Sequence, residues 1–134
     1  TVESDKRFID NFAKKDGKYE FLTKEEIYKS LELKKISNVE LVQGDIRDTL
    51  AQYLERNPHT KISLLHIDTD VYEPAKVGLE LLFSRVVKGG IIILDDYGVI
   101  EGETLAVDEF LSDKDYLIEK YSFSHAKPSY IVKR

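Results

Sequence analysis

The chain of 134 residues has no cysteine and no methionine. Without cysteine there is neither a disulfide framework nor a thiolate metal site, and thiol catalysis is excluded. The same absence fits a reducing compartment, so the cytoplasm is the expected location. No apolar run approaches the roughly 20 residues that a membrane span needs. Positive charge is also short: 20 Lys and Arg face 25 Asp and Glu, a formal net charge of −5 that disfavours nonspecific attraction to a phosphate backbone. Neither nucleic acid nor membrane is therefore an expected partner. Repeats, low-complexity tracts and Pro/Gly-rich linkers are missing as well. "TVESDKRF" at the start has neither the basic flank nor the apolar core of a signal peptide. With Thr1 first and no methionine anywhere, the expectation is that an upstream stretch was removed or never included.

What remains is a globular composition, 42% apolar and 34% charged, of a length that suits a single domain over residues 1–134. Phe8, Ile9 and Phe12 have helical spacing, closed by "DG" at 16–17. Thr23 and Glu26 form a capping box for a helix over about 24–35. "VELVQ" (39–43) reads as a short strand. Ile46, Leu50, Tyr53 and Leu54 then recur at helical spacing until "NP" at 57–58. "KISLLHI" (61–67) is apolar on nearly every position, as expected for a parallel strand covered on both faces. Pro74 suits a helix start, with Val77, Leu81, Leu82 and Val86 on its buried side. "KGG" reads as a turn into the strand "IIILDD", "GETLAVDEFL" as a helix, and "YLIEKYSF" with "SYIVKR" as a closing antiparallel hairpin. The alternation predicts an α/β fold with a doubly wound, mostly parallel sheet.

In such sheets ligands bind beyond the carboxyl ends of the strands, and that is where "HIDTDVYEP" (66–74) and "IIILDDYG" (91–98) place four aspartates. If the two strands are neighbours, about 4.8 Å apart, Asp68, Asp95 and Asp96 can converge. Crowded carboxylates repel unless a cation neutralises them, and a hard, oxygen-seeking ion such as Mg²⁺ is the natural occupant. The carboxylate left over can act as a base.

The stretch "LLHIDTDVYEPAKVGLELLFSRVVKGGIIILDDYG", followed by "GETLAVDEF", resembles the macrocin O-methyltransferase family. These are class I S-adenosylmethionine enzymes that methylate sugar hydroxyls in macrolide and aminocoumarin biosynthesis. The resemblance runs over residues 39–134 and is strongest from 64 to 110. It implies a Rossmann-like fold, a metal held by Asp68, Asp95 and Asp96, and Asp70 as the general base toward the acceptor hydroxyl. It also implies that the strand end "VQGDI" meets the cofactor, through Gly44, Asp45 and Ile46, with Asp68 nearby. The implied function is a metal-assisted O-methyltransferase acting on a sugar-containing small molecule. The family's Gly-rich turn and ribose-binding acid have no counterpart here, which implies a C-terminal portion lacking the first two strands. Such a portion is expected to bind S-adenosylmethionine weakly and to be inactive alone. It would leave "KISLLHI" with an open edge. That edge is expected to be closed by the 39–43 strand of the same chain or, as the alternative, by a second copy in a homodimer.

Plainer uses compete with these roles. Asp45 can be the N-cap of the helix that begins at Ile46. His66, inside a strand, reads as a core histidine rather than an orienting group behind an acidic ligand. Tyr72 and Tyr97 can pack under loops instead of walling a pocket, and the lysines at 14, 15, 34 and 35 read as solvated helix ends. D-x-D at a strand end also occurs in phosphohydrolases with an aspartyl nucleophile, which would make Asp68 the nucleophile, with Asp70 as acid/base and Lys88 as weak support. A non-catalytic assembly module is the third reading.

Overall fold

Helices start where the sequence supplies acceptors for their free N–H groups. In the computed structural model, which describes residues 2–15, 18–19, 22–124 and 128–134, helix α2 (Lys24–Leu33) carries the expected capping box. Thr23 Oγ1 accepts from the Glu26 N–H at 3.2 Å, and Glu26 Oε2 accepts from the Thr23 N–H at 2.8 Å. Helix α3 (Ile46–Arg56) starts on Asp45 and ends at Asn57, as the periodicity predicts. Helix α4 (Tyr72–Leu82) starts two residues before Pro74, which the first turn accommodates because its N–H groups have no helical partner. The cap of α4 comes from outside: Asp5, on α1 (Glu3–Phe8), accepts from the Tyr72 N–H at 3.0 Å. Beyond α1 lie a π-helical turn (Ile9–Ala13) and a two-residue ladder of β1 (Lys14–Lys15) with β2 (Lys18–Tyr19). The "DG" expected to close this region lies outside the described residues.

The main sheet is built from β3 (Ile62–Ile67), β4 (Val86–Leu94), β5 (Glu119–Lys120) and β6 (Ser129–Val132), in the order β3-β4-β6-β5. Strands β3 and β4 are parallel neighbours joined through α4, while β6 is antiparallel to both β4 and β5. The mixed α/β, Rossmann-like class and the antiparallel ending therefore stand, and the parallel part comprises one pair among the described residues. Partners across the ladder share a face. Leu65, Ile92 and Ile131, then Ile67 and Leu94, point to one side and form the core with Ala75 and Leu79 of α4, Phe83, and Ala106 and Val107 of α5 (Glu101–Leu111). The other side carries Leu64, Ile91, Val132, His66, Ile93 and Tyr130. Leu64 is 57% exposed where its neighbour Leu65 is 7% exposed, so the two faces are far from equally covered.

Three expectations change. "VELVQ" is not a strand: residues 39–43 have no ladder, Val39 and Val42 are exposed, and Glu40 instead meets the Tyr53 hydroxyl of α3 at 3.5 Å. β-propensity cannot make a strand without a neighbour to take up its backbone groups. The predicted closure of the β3 edge by this segment accordingly does not occur: β3 pairs with β4 alone among the described residues. "KGG", finally, is not a turn before the strand but part of β4. Gly89, at φ +78°, donates to the Lys133 carbonyl. A Cβ on Gly90 would meet the Val87 carbonyl at 2.9 Å and the Ser63 carbonyl at 3.1 Å, so the register shift between Ile62 and Leu64 needs a bare α-carbon there. Among the described residues no helix is long and apolar enough to cross a membrane.

Candidate functional site

Strand β3 ends at Ile67 and β4 at Leu94, and the Asp95 N–H donates to the Ile67 carbonyl at 3.0 Å, so the two chain ends leave the sheet side by side. The four aspartates lie just past this point. Two triplets have ligand atoms within 4.8 Å of one another among the described residues: Asp68 with Asp70 and Asp96, and Asp68 with His66 and Asp95. Asp68 is common to both. The predicted trio of Asp68, Asp95 and Asp96 is thus divided between two groupings, with Asp70 closer to the acidic centre than the prediction required. Oxygen donors of this kind fit a hard divalent cation.

Asp70 sits at φ +59°, a left-handed backbone that side chains other than Asn and Asp seldom tolerate. Its neighbours hold it there. The Val71 N–H closes a tight turn onto the Thr69 carbonyl at 2.6 Å, and the Asp70 carbonyl accepts from the Glu103 N–H at 3.2 Å. A non-glycine residue kept in such a conformation is a mark of functional positions.

Two residues beyond those predicted enter the site. His66 is not a core histidine: its ring is 46% exposed on the open face of β3, with Nε2 3.1 Å from Asp95 Oδ1. Glu103, from the first turn of α5, is fully buried beneath the aspartates. Its Oε1 accepts from the Asp96 N–H at 3.0 Å and its Oε2 from the Thr69 N–H at 3.4 Å. Burial pushes the Glu103 carboxyl above its usual range against the pull of those two donors, and the charges of Asp96 and Asp70 add to the push. Nothing local distinguishes Glu103 from Glu101, two residues earlier; the in-strand position of His66, opposite the last strand residues, was the available signal for the other.

The cofactor segment is arranged differently. Asp45 is the cap of α3, accepting from the Arg47 N–H at 2.9 Å, and its carboxylate is gripped by the Arg47 guanidinium, with Nε at 2.9 Å from Oδ1. That guanidinium, helped by the backbone donor, lowers the Asp45 carboxyl from 3.8 to about 2. Gly44 and Ile46 line a cavity of about 410 Å³ with Leu50, Tyr53, Ile62 and Leu82. The Tyr72 hydroxyl, at the start of α4, donates to Glu109 at 2.5 Å and the Tyr97 hydroxyl, past the end of β4, to Asp108 at 2.8 Å, and both rings pack partly buried against the core.

The model of the macrocin-O-methyltransferase (TylF) family matches residues 21–119. No curated protein matches the chain. Among solved structures, apo CalS11, a TDP-rhamnose 3'-O-methyltransferase of calicheamicin biosynthesis, is 33% identical with a TM-score of 0.62, over 69% of this chain and 40% of that one. A second CalS11 structure, described as a calicheamicin methyltransferase, agrees at the same identity and TM-score over 36% of its length. The O-methyltransferase NovP is 21% identical and superposes over 99% of this chain and 52% of its own, with a TM-score of 0.80, a likeness of fold. The chain therefore spans about half or less of each of these structures. With its family model covering the acidic strand ends and the helices on either side of them, the chain belongs to the macrocin-O-methyltransferase family.

Proposed function

We propose that residues 1–134 form one α/β unit of an O-methyltransferase that acts on a hydroxyl of a sugar-containing small molecule, with S-adenosylmethionine as methyl donor and a divalent cation such as Mg²⁺. The observation that carries this reading is the gathering of Asp68, Asp70 and Asp96 at the ends of adjacent parallel strands, in a chain of this family. By the resemblance Asp68, Asp95 and Asp96 would hold the cation, while the geometry gathers Asp96 with Asp68 and Asp70 and sets Asp95 with Asp68 and His66, so Asp68 and Asp96 are the ligands that both support. When bound, the cation would draw acceptor oxygens close and acidify them. Asp70 takes the hydroxyl proton. Its left-handed backbone presents the carboxylate from a turn fixed on both sides, so little reorganisation is needed as the proton moves. By the resemblance Gly44 and Ile46 would be the residues toward the adenine ring, although the cavity they line is shared with Thr60 and Ile62 at the amino end of β3, away from Asp68; Asp45, committed to Arg47, orders the start of α3. His66 orients Asp95 from the side.

The test has two arms. Calorimetric titration of the chain with Mg²⁺ is expected to give one site that Asp68→Asn removes, and, in a longer methyltransferase that carries this unit together with the Gly-rich cofactor turn, methyl transfer from labelled S-adenosylmethionine to nucleotide-linked deoxysugars is expected to be lost in Asp70→Asn. Unchanged transfer in Asp70→Asn would rule out the base, and cation binding indifferent to Asp68→Asn would rule out the metal centre.

A further inference from the structure

Asp68 and Asp70 belong to the segment leaving β3, Asp95 and Asp96 to the segment leaving β4. Sheet hydrogen bonding ends with the Asp95 N–H on the Ile67 carbonyl. Past that bond nothing in the ladder fixes how far apart the two segments stand, yet a shared cation demands a separation constant to a fraction of an ångström. Glu103 occupies the gap. One carboxylate oxygen takes the Asp96 N–H, the other takes the Thr69 N–H between Asp68 and Asp70, and the Glu103 N–H holds the Asp70 carbonyl. The side chain is completely buried, so it faces neither solvent nor a substrate. An ionisable group is not placed in such a position without a use for its two acceptors.

The geometry points to Glu103 as a positioning residue that sets the spacing of the two aspartate-bearing segments. It does so by bridging the Thr69 and Asp96 amides, and through that spacing it tunes the affinity for a divalent cation. The second half rests on the cation reading given above; the bridge itself does not.

Two variants separate spacing from charge. Glu103→Gln keeps the size but offers one acceptor oxygen for two amides. Glu103→Asp keeps the charge but is one methylene shorter and cannot reach both. Each is expected to raise hydrogen-exchange rates at the Thr69 or Asp96 amide at least about tenfold and to weaken Mg²⁺ binding about 10- to 100-fold. Exchange elsewhere in β3 and β4 should stay as in the parent chain. Parent-like exchange at both amides in Glu103→Gln overturns the bridge. Parent-like Mg²⁺ affinity in Glu103→Asp overturns the tuning, because charge alone would then suffice. A parent chain with protected amides and no Mg²⁺ affinity leaves the bridge supported and removes the cation reading beneath the second half. Should either variant fail to fold, scalar couplings across the hydrogen bonds from the Thr69 and Asp96 nitrogens to the Glu103 carboxyl carbon decide the matter in the unmutated protein, where their absence overturns the bridge.

Discussion

Replacing Gly102 by alanine sets two physical effects against each other. Gly102 is the second residue of α5, and glycine in a helix is less favourable than alanine by about 1 kcal/mol, so propensity alone calls Gly102→Ala stabilising. Packing has the opposite sign. A Cβ on Gly102 would stand 2.1 Å from Asp5 Oδ1 and 2.8 Å from the Tyr72 nitrogen, both well inside contact distance. The Asp5 carboxylate is 1% exposed and cannot swing into solvent without leaving its hydrogen bond to Tyr72. Overpacking typically costs about 1–3 kcal/mol, and a hydrogen bond to a charged group contributes about 1.5–3 kcal/mol. Subtracting the propensity gain leaves a net loss of about 1.5–5 kcal/mol. For a domain of this length that is a fall in Tm of about 6–20 °C, easily read by circular dichroism. In an Asp5→Ala background the main obstacle is gone, and the same change should cost at least about 1 kcal/mol less. A Tm for Gly102→Ala equal to or above that of the parent chain, or costs that simply add in the double variant, would refute the packing argument.

Asp70→Asn is expected to leave stability within about 0.5 kcal/mol, since asparagine also tolerates the left-handed backbone, whereas the β-branched Asp70→Val should cost more than about 1 kcal/mol; urea denaturation of the two distinguishes them. Asp45 has its folded pKa held below the unfolded one. Its charged cap therefore adds stability at pH values above 3.8 that is lost as pH falls through about 2. In Asp45→Asn, which caps without charge, the unfolding midpoint should fall less steeply over that acid range. Leu64→Lys should change stability by less than about 0.5 kcal/mol because that side chain packs on little. Leu65→Ala, one residue on and in the core, should cost about 2–5 kcal/mol.

How much of this was legible in the chain depends on whether the cause was local. The capping box at Thr23 and Glu26, the periodicity of α3 and the apolar runs of β3 and β4 each carry their reason within a few residues, and these elements form where expected except that β4 begins early, at Val86. The gathering of aspartates followed from one inference, that β3 and β4 are parallel neighbours. "VELVQ" failed because a strand's existence is decided by its neighbour. "KGG" failed because glycine serves an irregular strand as readily as a turn, and only the Lys133 partner distinguishes them. Glu103 could not be read at all: its amide partner Thr69 lies 34 positions away, and its role is written in burial rather than in residue type.

The cap that α1 provides for α4 has a kinetic meaning. Asp5 and Tyr72 are 67 residues apart, whereas β3 packs chiefly on β4 and α4 on α5, each pair separated by a single intervening α-helix or strand. Contacts between close segments close small loops and form first; the clasp of Asp5 on Tyr72 closes one of the largest loops in the molecule. On that ground the acidic segments are expected to assemble before α1 docks and the start of α4, two residues after Asp70, to be locked last. Asp5→Ala is then expected to speed unfolding more than it slows folding in stopped-flow measurements, so that Asp5 would govern how long the finished site persists more than how quickly it is made.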